Sequence, residues 1–180
     1  MITIISGTNR QDNKTVAFAR HVYNLMQTES NTEVKFLDLA AMPTDWFHAL
    51  MYQEDGQTAS LRKIQDDCIL PAKKFIFVIP EYNGSMPGTV KLFIDACSIR
   101  NYADNFKGKK AALIGCSSGR AGNLRGMEHL TGVLNYLGCT VMPNRLPISQ
   151  ISGLMNAKNE ITDEKTLEIL EKFAKEFTAF

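Results

Sequence analysis

The chain has 180 residues, of which 44% are apolar and 22% charged, and twenty basic against nineteen acidic residues leave a formal charge of +1. That balance belongs to a folded globule with a full hydrophobic core, and it excludes intrinsic disorder, collagen-like repeats and a disulfide miniprotein. No basic stripe marks a nucleic-acid partner, and the longest near-apolar run, residues 75–80, is far short of the roughly 20 residues of a membrane helix. The apolar run before Gly7 is too short for a signal peptide, so a cytoplasmic protein is expected. Cys68, Cys97, Cys116 and Cys139 form no close pair. They read as reduced, buried thiols, and no metal site is expected.

In chain order, residues 2–6 (ITIIS) form a β-branched strand. Asn13 is placed to cap a helix whose Val16, Ala19, Val22, Tyr23 and Met26 share one face. Residues 33–39 alternate as a second strand. Residues 43–58 are irregular, and residues 60–70 read as a helix stopped by Pro71. Residues 74–80 (KFIFVIP) are the most apolar strand and should lie centrally, buried on both faces. A helix over 88–98 follows Pro87. Residues 109–116 form a fourth strand, and residues 124–137 a helix ending at Gly138. Residues 139–142 make a short fifth strand, and residues 162–177 a last helix.

This alternation predicts one domain, residues 1–180, with a doubly wound parallel sheet covered by helices on both faces. Five strands suit the flavodoxin-like order 2-1-3-4-5. Ligands in such sheets bind beyond the carboxyl ends of the strands, so the loops after strands 1, 3 and 4 should carry function.

The first loop, residues 6–15, holds Ser6, Thr8, Asn9, Arg10, Asn13, Lys14 and Thr15 and runs into a helix N-terminus. Hydroxyls, a guanidinium and the helix dipole together suit a terminal phosphate. It lacks GxxxxGK[ST] and GxGxxG, which excludes a nucleotide-hydrolysing P-loop and a dinucleotide fingerprint. The second loop, residues 80–88, combines Pro80, Glu81, Tyr82, Asn83 and Gly84 with Pro87 and Gly88. Its fixed backbone suits the polar edge of a flat ring. The third loop, residues 117–123, offers Ser117, Ser118, Gly119 and Gly122. Together the three loops describe a site for a mononucleotide with a planar head.

The stretch PEYNGSMPGTVKLFIDACS, residues 80–98, is similar to the PEYN-x-S-x-PG-x-LK-x-x-ID signature of the NAD(P)H-dependent FMN reductases, a family that includes quinone, chromate and azo-dye reductases. The resemblance spans roughly residues 1–145. It implies that Ser6, Thr8, Arg10, Asn13 and Thr15 hold the FMN phosphate, with Asn9 and Lys14 of the same loop among the cofactor-binding residues. Pro80, Glu81, Tyr82, Asn83 and Gly84 would line the ring, Tyr82 and Asn83 orienting it, with Ser117, Ser118, Gly119 and Gly122 on its other side. Asn13, Ala96 and Asn123 depart from the family pattern.

The resemblance further implies hydride transfer from NADPH or NADH to the flavin N5, then ping-pong reduction of a small acceptor, with no dedicated catalytic side chain. It implies a homodimer or homotetramer. The alternative is a flavodoxin-type electron carrier without efficient NAD(P)H turnover. A phosphoacceptor receiver is excluded, because Ser6 and Pro80-Glu81 stand where its acidic residues are needed. Residues 43–58, with Trp46, Phe47, Met51 and Tyr52, read either as a lid near the ligand edge or as an amphipathic helix packed on the core.

Overall fold

The computed structural model describes residues 1–53 and 55–180. Five strands, β1 (Ile2–Ser6), β2 (Val34–Asp38), β3 (Lys74–Pro80), β4 (Lys110–Cys116) and β5 (Thr140–Val141), lie parallel in the order β2-β1-β3-β4-β5. This is the order expected for the flavodoxin-like doubly wound sheet.

Strand periodicity divides the core in two. Side chains alternate across a sheet. Phe75, Phe77 and Ile79 of β3 therefore enter one cluster with Ile5, Ala111 and Leu113. Ile76 and Val78 enter another with Ile2, Ile4, Ala112 and Ile114. The second cluster is closed by α1 (Thr15–Glu29), through Phe18, Val22 and Met26, and by α6 (Glu164–Ala179), through Leu170, Phe173 and Phe177. The first is closed by α2 (Ala59–Ile64), α3 (Gly88–Ala96), α4 (Tyr102–Phe106) and α5 (Leu124–Tyr136). With both faces covered, β3 is buried from Phe75 to Pro80.

Four features differ from the sequence expectation. The helix expected over 60–70 is α-helical only to Ile64 and then π-helical over Gln65–Ile69, where the Leu70 N–H reaches the Gln65 carbonyl (2.8 Å). Helix α4 was not anticipated. It is fixed by tertiary bonds from the buried Asn105 amide to the carbonyls of Cys97, Arg100 and Asn101. The expected fifth strand is interrupted. A further strand, β6 (Leu146–Ile148), resumes the parallel pairing with β4 after residues 142–145, where Pro143 lacks the N–H that a ladder needs. Finally, residues 43–53 and 55–58 contain no helix and consist of turns and bends, so the amphipathic-helix expectation is not met. Trp46 and Met51 nevertheless join the core, Trp46 edge-to-face with Phe93 at 6.5 Å, while Phe47 and Tyr52 stay exposed.

Candidate functional site

The carboxyl ends of β1, β3 and β4 lie side by side, with Ser6 opposite Val78 and Pro80 opposite Cys116. The loops that leave them enclose a cleft of about 250 Å³. Arg10, Asn13, Lys14 and Thr15 line it from the first loop, Pro80, Glu81 and Tyr82 from the second, and Ser117 and Ser118 from the third.

The first loop is built as an anion cradle. Helix α1 begins at Thr15, and the first N–H groups of any helix lack intrahelical acceptors. Asn13 meets the capping expectation: its Oδ1 accepts the Val16 N–H (2.9 Å), while its Nδ2 donates to the Arg10 carbonyl (2.8 Å). The Arg10 and Lys14 cations stand at the same helix start, where the dipole already favours negative charge. At the end of β1 the Ser6 Oγ is buried and has no partner among the described residues. A buried hydroxyl costs free energy until something pairs with it.

Thr8 is fully buried, and its hydroxyl is already engaged. It pairs with the Tyr82 phenol (2.7 Å) and accepts the Arg10 N–H (3.1 Å). Thr8 thus braces the first loop against the second. Asn9 faces away from this cleft; its Oδ1 accepts from the Thr89 hydroxyl (2.7 Å), and it lines a separate cavity.

The second loop folds as a miniature hairpin. Tyr82 and Ser85 exchange N–H···O bonds, each of 3.0 Å, around Asn83 and Gly84. Both central residues have positive φ (51° and 71°), as a type I′ turn requires, which is why an Asn-Gly pair stands there. The turn aims Tyr82 toward the cleft and keeps Asn83 and Gly84 out of its lining. A second tie, from Ser85 Oγ to His129 Nδ1 (2.7 Å), holds the hairpin to α5.

In the third loop Ser117 organises its own backbone, donating to the Gly119 carbonyl and accepting the Gly122 N–H, both at 2.9 Å. Gly119 and Gly122 do not line the cleft. Gly122 has φ +56°, and a Cβ there would meet the Pro147 Cβ at 2.6 Å, so its part is to let the loop pack on β6.

Sequence reasoning missed Asp12, Cys116, Ile151 and Ser152, all of which line the cleft. Ile151 and Ser152 arrive because β6 carries the chain back to the third loop, where the Ile151 N–H bonds the Ser117 carbonyl (3.1 Å). Ser152 then accepts from Lys14 Nζ (3.0 Å). Nothing in residues 149–152 signals a site, since only their tertiary placement makes them part of one.

Residues 1–153 match the model of a family described as NADPH-dependent FMN reductase. The chain belongs to the NADPH-dependent FMN reductase family. As a member it uses FMN with NAD(P)H as electron donor. Similar proteins include an NAD(P)H-dependent FMN reductase of Pseudomonas aeruginosa, 30% identical over 93% of this chain and 88% of its own. A 2-hydroxy-1,4-benzoquinone reductase of a Burkholderia species is 28% identical over 99% of this chain and 94% of its own. Among solved structures, FerB, a flavoenzyme NAD(P)H:(acceptor) oxidoreductase of Paracoccus denitrificans, superposes with a TM-score of 0.79 at 25% identity, covering 99% of this chain and 94% of its own.

The residues present fit the FMN of this family. The cradle offers cations and a helix start for a phosphate, whereas the buried Ser6 hydroxyl at the end of β1 does not line the cleft. The opposite walls offer prolyl, tyrosyl and seryl surface to a flat ring. No helix among the described residues is long and apolar enough to cross a membrane.

Proposed function

We propose that this chain, acting as one domain, catalyses two-electron reduction of a small acceptor by NAD(P)H, with a quinone as the favoured acceptor and donor and acceptor alternating at one site. FMN, when bound, supplies the hydride-accepting centre. The chain's own residues bind and orient it. Arg10, Lys14, Asn13 and Thr15 hold the phosphate, and Pro80, Glu81, Tyr82, Ser117 and Ser118 hold the ring. Thr8 acts as a positioning residue through Tyr82, and Asn83 and Gly84 act through the turn they form.

The observation that carries this reading is the meeting of three loops around one cleft, cationic at the α1 end and polar but uncharged along Ser117 and Ser118. The quinone preference is supported by the name of the similar Burkholderia enzyme. We place the protein in the cytoplasm and expect a homodimer or homotetramer. Self-association is supported by the apolar groove between α3 and α5, where Tyr102 is exposed and Tyr136 is 84% exposed.

The test is the visible spectrum of the purified protein, before and after NADPH and then NADH without air. A flavin spectrum that bleaches, followed by parallel double-reciprocal lines with a quinone, is expected. A colourless protein that takes up no added FMN overturns the cofactor assignment. A flavin that neither nucleotide bleaches overturns the reductase reading in favour of an electron carrier.

A further inference from the structure

One wall of the cleft comes from late in the chain. Ser152 belongs to a single 3-10 turn, Ile151–Leu154, that follows β6. This turn is tied to the third loop at three points. The Ile151 N–H bonds the Ser117 carbonyl (3.1 Å), the Gln150 N–H bonds the Gly119 carbonyl (3.0 Å), and the Ser149 hydroxyl donates to the Arg120 carbonyl (2.7 Å). Ile151 is itself buried in the core. Turn and third loop are therefore one rigid wall, and Ser152 is presented from it at a fixed place. Lys14 stands opposite, at the start of α1, on a flexible four-carbon stem.

The Lys14 ammonium donates to Ser152 Oγ (3.0 Å) and so joins the two walls, 138 residues apart in the chain. This contact leaves both groups with donors to spare. A hydroxyl that accepts still has its own proton to give, and an ammonium has three, of which one is used here. Neither group has another hydrogen-bond partner among the described residues. Three donors thus remain free in the lining that Arg10, Asn13 and Thr15 share. A phosphate monoester meets such a set well, with three acceptor oxygens and a charge of about −1.5 to −2 at pH 7. A sugar hydroxyl or a ring edge has neither the charge nor the number of acceptors.

We propose that Ser152 and Lys14 form a clasp over the phosphate, and that this clasp makes FMN a resident group rather than one exchanged at each turnover. The inference rests on FMN as the group that the cleft holds, and it adds Ser152 to the residues that hold it. Release then requires contacts to break on two walls that the fold supports separately, α1 on one side and the third loop with its turn on the other. Lys14 is the arm of the clasp, since its stem swings while Ser152 stays in place.

The test follows FMN release from the flavin-loaded protein, by rapid gel filtration at successive times after dilution. Equilibrium dialysis of the same protein compares FMN with riboflavin, which lacks only the phosphate. Ser152 is exposed, so its truncation spares the core. Ser152→Ala should release FMN about tenfold faster and bind it about tenfold more weakly, as loss of a hydrogen bond to a charged group does. Its affinity for riboflavin should stay as in the wild type, and Ser152→Thr, which keeps the hydroxyl, should retain FMN. FMN release unchanged in Ser152→Ala overturns the clasp. An equal loss of FMN and riboflavin also overturns it, because Ser152 would then support the wall and not the phosphate. Wild-type protein that gives up FMN within the time of one turnover overturns residence. Wild-type protein that takes up neither flavin sinks the cofactor assignment and the clasp with it, whereas wild type and Ser152→Ala holding FMN alike sinks the clasp alone.

Discussion

One buried amide fixes how the end of β3 meets the start of α5. Asn123 Nδ2 donates to the carbonyls of Ile79 (3.1 Å) and Pro80 (2.8 Å), the two residues that lead into the second loop. Its backbone is left-handed, at φ +60°, a conformation asparagine tolerates better than most residues. Asn123→Ala removes both bonds and leaves the carbonyls without that donor. We expect a loss of about 2–4 kcal/mol in denaturant unfolding, together with weaker FMN retention. A loss under about 1 kcal/mol would show that these bonds are not made. The sequence marks position 123 only as a departure from the family pattern, because acceptors more than forty residues away leave no trace in local spacing. The neighbouring Asn83-Gly84 pair is different. Its turn chemistry is local, and the dipeptide itself announces it.

Elements with strong periodicity were legible, and those held by tertiary bonds were not. Strand β3 and helix α3 start where the sequence places them, since an apolar run and a Pro-Gly entry are local signals. Helix α4 has only five residues, including tyrosine, aspartate and asparagine, which have modest helix propensity. The Asn105 network and the burial of Phe106 hold it instead. The contact of α1 with α6 carries a titration. Burial lowers the pKa of His21 on α1 below its ordinary 6.5, with Glu171 on α6 partly opposing, and its Nε2 is buried without a partner among the described residues. As the pH falls through 6.5 the unfolded chain takes up the proton first, so this contribution to stability is present above that pH and is lost below it. The difference in unfolding midpoint between pH 7 and pH 5 should shrink in His21→Leu. An unchanged difference would assign the acid sensitivity elsewhere.

For the whole molecule, the strand order was legible because alternating strands and helices with right-handed crossovers leave few topologies. The two-part fifth strand was not, since two short runs around Pro143 look like one strand and a loop. The fully covered sheet also sets behaviour in alkali. Burial raises the thiols of Cys97, Cys116 and Cys139 above their ordinary 9.0, Cys139 to about 12. Above pH 9 the unfolded chain loses these protons first, so stability falls as the pH rises. Lys109 acts in the opposite sense. Burial lowers it to about 8, so between pH 8 and 10.5 its contribution to stability grows. Three thiols outweigh one ammonium, and each net proton tilts stability by about 1.4 kcal/mol per pH unit. Urea midpoints should therefore fall between pH 9 and pH 10.5, and Cys139→Ala should lessen the slope by about one proton. An unaltered slope would mean that Cys139 already ionises as it does in the unfolded chain.

The interruption between β5 and β6 has a consequence for solubility at high concentration. An open sheet exposes two edges, and a long flat edge invites a strand of another molecule to add to it and begin aggregation. On one side of this sheet β2 displays Lys35, paired with Glu33 at 2.7 Å, and Asp38, charges that discourage such addition. On the other side the edge is two strands of two and three residues, with Pro143 between them and Pro147 inside the second. Neither piece offers a ladder long enough to template a neighbour. The break that brings Ser152 to the cleft thus also blunts the edge where this fold is most open to sticking to itself.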